Sequence, residues 1–198
     1  GATDITDPIW RNALVGEDQL RQRVALALSE IFVVSLNDTC NPFGRGYASY
    51  MDMLQRNALG DFRQLLQDVT LHPIMGCFLS HVGNQKDDAT TGRVPDENFA
   101  REVMQLFSIG LYQLNPDGTP VIVNGAPVPT YGPSDIAGLA RVFTGFSWNC
   151  PSPMEDVCFT LGTAGSGPDP DKWIKPMVAY DRFHSTLPKT FLGKTIAA

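Results

Sequence analysis

A chain of 198 residues is long enough to bury one sizeable core, and a hydrophobic content of 43% is that of a globular protein rather than a disordered one. Its formal net charge of −6, with no run of lysines or arginines, argues against nucleic acid as a partner, because phosphates demand a cationic face. No apolar stretch approaches the length needed to cross a bilayer, and the opening Gly-Ala-Thr-Asp-Ile-Thr-Asp lacks the basic head and apolar run of a secretion signal, so export would need a leader that this chain does not contain.

In chain order, residues Asp4 to Val15 are expected to hold a short helical turn anchored by Ile9 and Trp10. A longer helix is expected from Glu17 to about Ser35, with Leu20, Val24 and Leu28 inward and Gln19, Gln22 and Arg23 outward. Its second half is apolar all round except for Ser29 and Glu30, which makes Glu30 a candidate buried carboxylate that must either hold a proton or pair with an arginine on a neighbouring helix. The Asn-, Pro- and Gly-rich stretch from Asn37 to Tyr47 reads as a loop. Two helices follow, Tyr47 to about Arg56 and Gly60 to Leu71, the second with Phe62, Leu65, Leu66 and Val69 inward. His72-Pro73 breaks the helix, since the residue before proline disfavours helical backbone, and Ile74 to Val82 restarts as a short apolar helix. The polar segment Gly83 to Gly92 is a surface loop placed to act as a lid.

The stretch from Arg93 to Leu111 organises the rest. Pro95 and Asp96 are a start signal, and Phe99, Val103, Leu106 and Gly110 recur at helical spacing, widened by Ala100, Met104 and Phe107. Asn98, Arg101, Glu102 and Gln105 must then share the opposite stripe. That stripe is either a buried polar network or a water-facing site. Beyond Gly110, a turn at Asn115-Pro116-Asp117-Gly118 leads to a hairpin around Asn124-Gly125, which the prolines at 120, 127 and 129 mark as an exposed ribbon. Ser134 is expected to cap a helix running to about Thr144, with Ile136, Leu139, Ala140 and Phe143 inward. From Gly145 onward the chain reads as irregular, pegged by Trp148, Phe159, Trp173 and Phe183. The expectation is a mainly α, compact multi-helix single domain over residues 1–198, with a short β-hairpin and a loop-rich C-terminal part from about residue 146.

Two blocks carry a resemblance. Asp96-Glu97-Asn98-Phe99-Ala100-Arg101-Glu102 with Leu106-Phe107-Ser108-Ile109-Gly110 is similar to the signature of a large bacterial family, domain of unknown function 1800. Tyr131-Gly132-Pro133-Ser134-Asp135-Ile136, then Ala140-Arg141-Val142-Phe143-Thr144-Gly145 and Trp148, support it, as do Arg21-Gln22-Arg23-Val24 and Lys189-Thr190-Phe191-Leu192-Gly193. The resemblance implies a mostly helical, exported bacterial protein. It brings no established activity, and because family members are usually much longer it implies that the chain is a core piece of such a protein.

None of the four cysteines forms a Cys-x-x-Cys pair, so no zinc site is expected. Cys150 and Cys158 bracket a short proline-rich loop that a disulfide closes easily in an oxidising compartment, and Cys40 with Cys77 could form a second bridge unless Cys77 is simply a buried thiol. His72, His81 and His184 lack ligand spacing, and neither a metal nor an organic cofactor is expected. Gly162 to Gly167 lacks the lysine of a phosphate loop and reads as a linker. His184 and Lys189 form the most reactive-looking cluster near the end.

Two functions remain. The first is a non-catalytic binding module of the bacterial envelope or exterior, with an extracellular polymer or protein as partner and the polar stripe as structural glue. The second is a hydrolase with Glu102 and Asp135 or Glu97 as acid and base, and Arg101 or Arg141 holding an anionic group. Asn98, Gln105, Glu97, His184 and Lys189 are the binding candidates beside the catalytic candidates Glu102, Asp135, Arg101 and Arg141.

Overall fold

The structure, a computed structural model, describes residues 3–36, 44–150, 156–160, 169 and 171–197. Cys40 and the glycine-rich run from Gly162 to Gly167 lie outside the described residues, and with Cys40 the Cys40–Cys77 pairing. The fold is mainly α. Its helices are α1 (Thr3–Val15), α2 (Gln19–Ile31), α3 (Arg45–Asn57), α4 (Phe62–Leu71), α5 (Pro73–Phe78), α6 (Asn98–Gln105), α7 (Pro133–Val142) and α8 (Asp156–Thr160). Among the described residues, six short strands pair as antiparallel ribbons: β1 (Ile122–Val123) with β2 (Ala126–Pro127), β3 (Phe146–Ser147) with β4 (Val178–Ala179), and β5 (Lys189–Phe191) with β6 (Lys194–Ile196). The chain divides into two compact units, one made of Gly1–Gly83 and Phe146–Tyr180, the other of Asn84–Gly145 and Asp181–Ala198.

In the first unit, α3 buries Tyr50, Met51, Met53 and Leu54, and α4 buries Leu65 and Val69 of its expected stripe, while Phe62 at its first position is 52% exposed. The Tyr50 hydroxyl donates to the Phe32 carbonyl at 2.8 Å, so its burial leaves no orphaned donor. Pro73 sits at the first position of α5, where its missing N–H costs nothing, and His72 caps that helix by accepting the Ile74 N–H on Nδ1. Cys150 and Cys158 form a disulfide, with Cα atoms 6.3 Å apart.

The inward face of α2 is rotated from the expected one. Leu20 is 69% exposed, whereas Gln22 and Ala25 are buried, as is Phe32 just past the helix. Small Ala25 lets α2 lie close to α3, and Gln22 is tolerated inside because its amide donates to Asp18 Oδ1 and Gln55 Oε1. Glu30 is therefore exposed and holds no buried charge. Trp10, expected as an anchor, is 54% exposed, whereas Ala13 of α1 is buried.

The last part of this unit encloses a lysine. Lys172 is 0% exposed, its Nζ has no hydrogen-bond partner among the described residues, and it lies 4.9 Å and 5.0 Å from the ring centres of Trp148 and Trp173. Burial lowers its pKa, opposed in part by Cys77. The two ring faces return about 2 kcal/mol or more each when desolvated, against a desolvation cost of several kcal/mol per ion. Lys172→Met, which keeps length and removes charge, is therefore expected to stabilise the protein by about 1 kcal/mol in urea unfolding at pH 7. Because the folded pKa is lowered, the wild type should gain stability as pH rises through it towards the unfolded value; the variant should not.

In the second unit, α6 and α7 pack through Ala100 and Met104 against Ile136, Leu139 and Ala140, with Phe99 edge-on to Phe143 at 4.7 Å. The helix expected to run to Gly110 ends at Gln105, and Leu106 is exposed. The Ile109 and Gly110 N–H groups then close on the Met104 carbonyl, with Gly110 at φ +74°. Asn124 (φ +52°) and Gly125 (φ +80°) make the tight turn of the β1–β2 ribbon, whose strands are exposed. The β5–β6 ribbon was not legible as a hairpin from turn chemistry, because its Leu192-Gly193 corner puts a leucine at φ +47°.

Candidate functional site

All nine residues picked from the sequence lie in the second unit. Along α6, Asp96 Oδ1 accepts the Asn98 N–H at 2.8 Å and starts the helix, while the Asn98 side chain is exposed. Arg101 reaches Glu97 Oε2 at 3.3 Å, one turn back on the same surface. Gln105 Oε1 accepts the Tyr131 hydroxyl at 3.4 Å. Glu102 is half-buried, and its Oε2 is shut away from water without a hydrogen-bond partner.

On α7, Asp135 has both oxygens engaged by backbone. Oδ2 accepts the Gly132 N–H at 2.8 Å, and Oδ1 accepts the Leu192 N–H at 2.7 Å. Asp135, not Ser134, thus caps α7, and it pins the β5–β6 corner as well. Arg141 donates from Nε and Nη2 to the two oxygens of Asp87, at 3.2 Å and 3.4 Å. No hydrogen bond or ion pair among the described residues joins any two of Glu102, Asp135, Arg101 and Arg141. Removing the side chain in Asp135→Ala deprives two backbone donors of an ionised acceptor, so a loss of about 2 kcal/mol is expected in chemical denaturation, with the secondary-structure spectrum unchanged.

The end of α7 builds the other polar cluster. Thr144 is fully buried; its Oγ1 donates to the Arg141 carbonyl at 2.7 Å and accepts the Ser185 N–H at 2.9 Å. The Thr144 carbonyl accepts His184 Nδ1–H at 2.7 Å, which fixes the tautomer and leaves Nε2 for other partners. Gly145, at φ +81°, lets the chain pass: a Cβ there would lie 2.9 Å from the His184 backbone. Its N–H donates to the carbonyl of Asn84, whose buried amide in turn clamps the Asp96 backbone with Nδ2 and Oδ1. Thr144, Gly145 and Asn84 were missed as site-builders, although Thr-Gly directly after a helix was a visible signal.

His184 and Lys189 line one cavity of about 410 Å³, with Asp181, Thr186, Val142 and Ile196. Lys189 is only 5% exposed and its Nζ donates to the Ser185 carbonyl at 2.7 Å. Among the described residues no cluster of three or more His, Cys, Asp or Glu side chains could hold a metal ion.

Fold and site define a mainly helical protein with a small cavity whose largely apolar wall carries His184 and Lys189, and none of its described helices is long and apolar enough to cross a membrane. It belongs to the family described as Protein of unknown function (DUF1800), whose match runs over residues 2–198. No curated protein and no solved structure matches the chain.

Proposed function

We propose that this chain is a non-catalytic binding module of the bacterial envelope or exterior, with an extracellular polymer or protein as its partner and the charged edges of α6 and α7 as structural connections. The observation that carries this reading is Asp135. A general acid or base needs an oxygen available to a reacting group, and both of its oxygens already accept backbone N–H groups. The arginines are likewise committed, Arg101 to Glu97 and Arg141 to Asp87. The Cys150–Cys158 disulfide supports an oxidising compartment outside the cytosol.

One observation favours the second reading, a hydrolase: the Glu102 oxygen that has no partner. Asp135 separates the two, because Glu102→Gln is expected to leave the melting curve unchanged under either. As a structural bystander, Glu102 should be replaceable with a change in stability within about 0.5 kcal/mol, and Asp135→Ala should carry the larger loss. A hydrolase would instead show Glu102→Gln and Asp135→Asn proteins that melt as the wild type does and lack turnover. An Asp135→Ala protein with an unchanged melting curve would remove the support for the module reading.

A further inference from the structure

Burying an ammonium is unfavourable unless an anion or a full set of acceptors compensates it. Lys189 has three N–H donors and one acceptor, the Ser185 carbonyl; no carboxylate among the described residues lies within ion-pair distance. Its neighbour in the cavity wall, His184, is held by its Nδ1 bond to Thr144, so the imidazole has a set orientation and an uncommitted Nε2. Two nitrogen groups on rigid supports, beside a cavity, are complementary to one small anion. The rest of the wall limits which anion. Val142 and Ile196 offer apolar surface, and Asp181 adds a negative charge that disfavours a second one on the ligand. Both supports are built into the chain: Thr144 holds His184, and pairing of β5 with β6 holds Lys189 opposite Ile196.

We propose that the cavity lined by His184 and Lys189 binds a small monocarboxylate ligand, its carboxylate received by Lys189 Nζ and His184 and its apolar body by Val142 and Ile196. This site goes beyond the proposed function, adding a small ligand to a module whose proposed partner is a polymer or protein. It assigns Thr186 as a further hydroxyl donor on the same wall.

The test is an NMR titration of the chain, following the His184 ring and Lys189 side-chain signals, with butyrate and inorganic phosphate as probes and sodium chloride matched for ionic strength. Saturable shifts at both residues are expected with butyrate, at an affinity about tenfold above that for phosphate. Lys189→Met should weaken butyrate by about tenfold or more, as loss of one charge-assisted hydrogen bond does. Should Lys189→Met fail to fold, Asp181→Asn gives an independent readout: phosphate affinity should rise towards that of butyrate. No saturable shift at His184 or Lys189, butyrate binding unaffected in Lys189→Met, or phosphate binding unaltered in Asp181→Asn would each overturn the assignment. The Asp135 and Glu102 melting measurements do not involve the cavity, so failure of the titration alone leaves the module reading in place and rejects only the ligand class.

Discussion

Gly138→Ala is expected to destabilise the second unit by about 3 kcal/mol or more, enough to prevent α7 from seating on β5. In an isolated helix the same change is favourable by about 1 kcal/mol, because alanine restricts the unfolded chain. Here the sign reverses. A Cβ at Gly138 would fall on the Thr190 carbonyl oxygen, with the carbonyl carbon at 2.7 Å and the Thr190 nitrogen at 3.3 Å. These are backbone atoms of a strand whose register is set by Thr190 facing Thr195, so no rotamer change relieves the overlap. Hydrogen exchange at the amides of β5 and β6 should lose protection in Gly138→Ala, with exposed Ser134→Ala on the same helix as the control. A Gly138→Ala protein as stable as the wild type would mean that α7 and β5 do not meet as described.

Acid should weaken the first unit through two buried histidines. His72 is 6% exposed and His81 1%, and both have their pKa lowered from 6.5 to about 4, chiefly because burial disfavours the charged ring. Arg56 adds to the effect at His72 and Asp68 opposes it; at His81 the bond to the Thr70 carbonyl opposes it. Geometry agrees at His72, since Nδ1 already accepts the Ile74 N–H and has no place for a proton. The unfolded chain takes up protons at these rings from about pH 6.5 downward while the folded chain resists until about pH 4. Stability from the pair is therefore complete above pH 6.5 and is lost as pH falls to about 4, by roughly 3 kcal/mol for each ring. Urea midpoints at pH 7 and pH 4.5 should show the fall. His72→Asn, which keeps a capping acceptor, combined with His81→Met, should flatten the profile even though it starts from a lower stability. A wild-type profile already flat between those pH values would exclude buried neutral imidazoles.

Neither effect was visible at the level of single residues. Gly138 lies in a pattern, Ile136-Ala137-Gly138-Leu139-Ala140, that spacing reads simply as a helix with an apolar face. Nothing in it says that a strand fifty residues later passes close enough to exclude a methyl group. His72 was legible as a helix break, through Pro73, but its role as a cap and a buried neutral ring depends on what α3 and α4 place around it. The expected inward face of α2 failed for a related reason. Leu20, Val24 and Leu28 are the more apolar stripe, yet Ala25 permits closer approach and Gln22 finds partners, so packing overrode hydrophobicity.

The sequence by itself determined the family, the mainly helical class, the exposed ribbon at Asn124-Gly125 and the loop closed by Cys150 and Cys158, because signature runs, helical spacing, turn chemistry and short-range closure are all local properties. It also brought His184 and Lys189 to notice. Only the tertiary structure decided that Asp135 serves two backbone donors, that Arg101 and Arg141 answer to Glu97 and Asp87, and that His184 and Lys189 share one cavity wall. Charge pairing is settled by which side chains lie within about 4 Å after packing, and that distance is a property of the folded chain rather than of residue order.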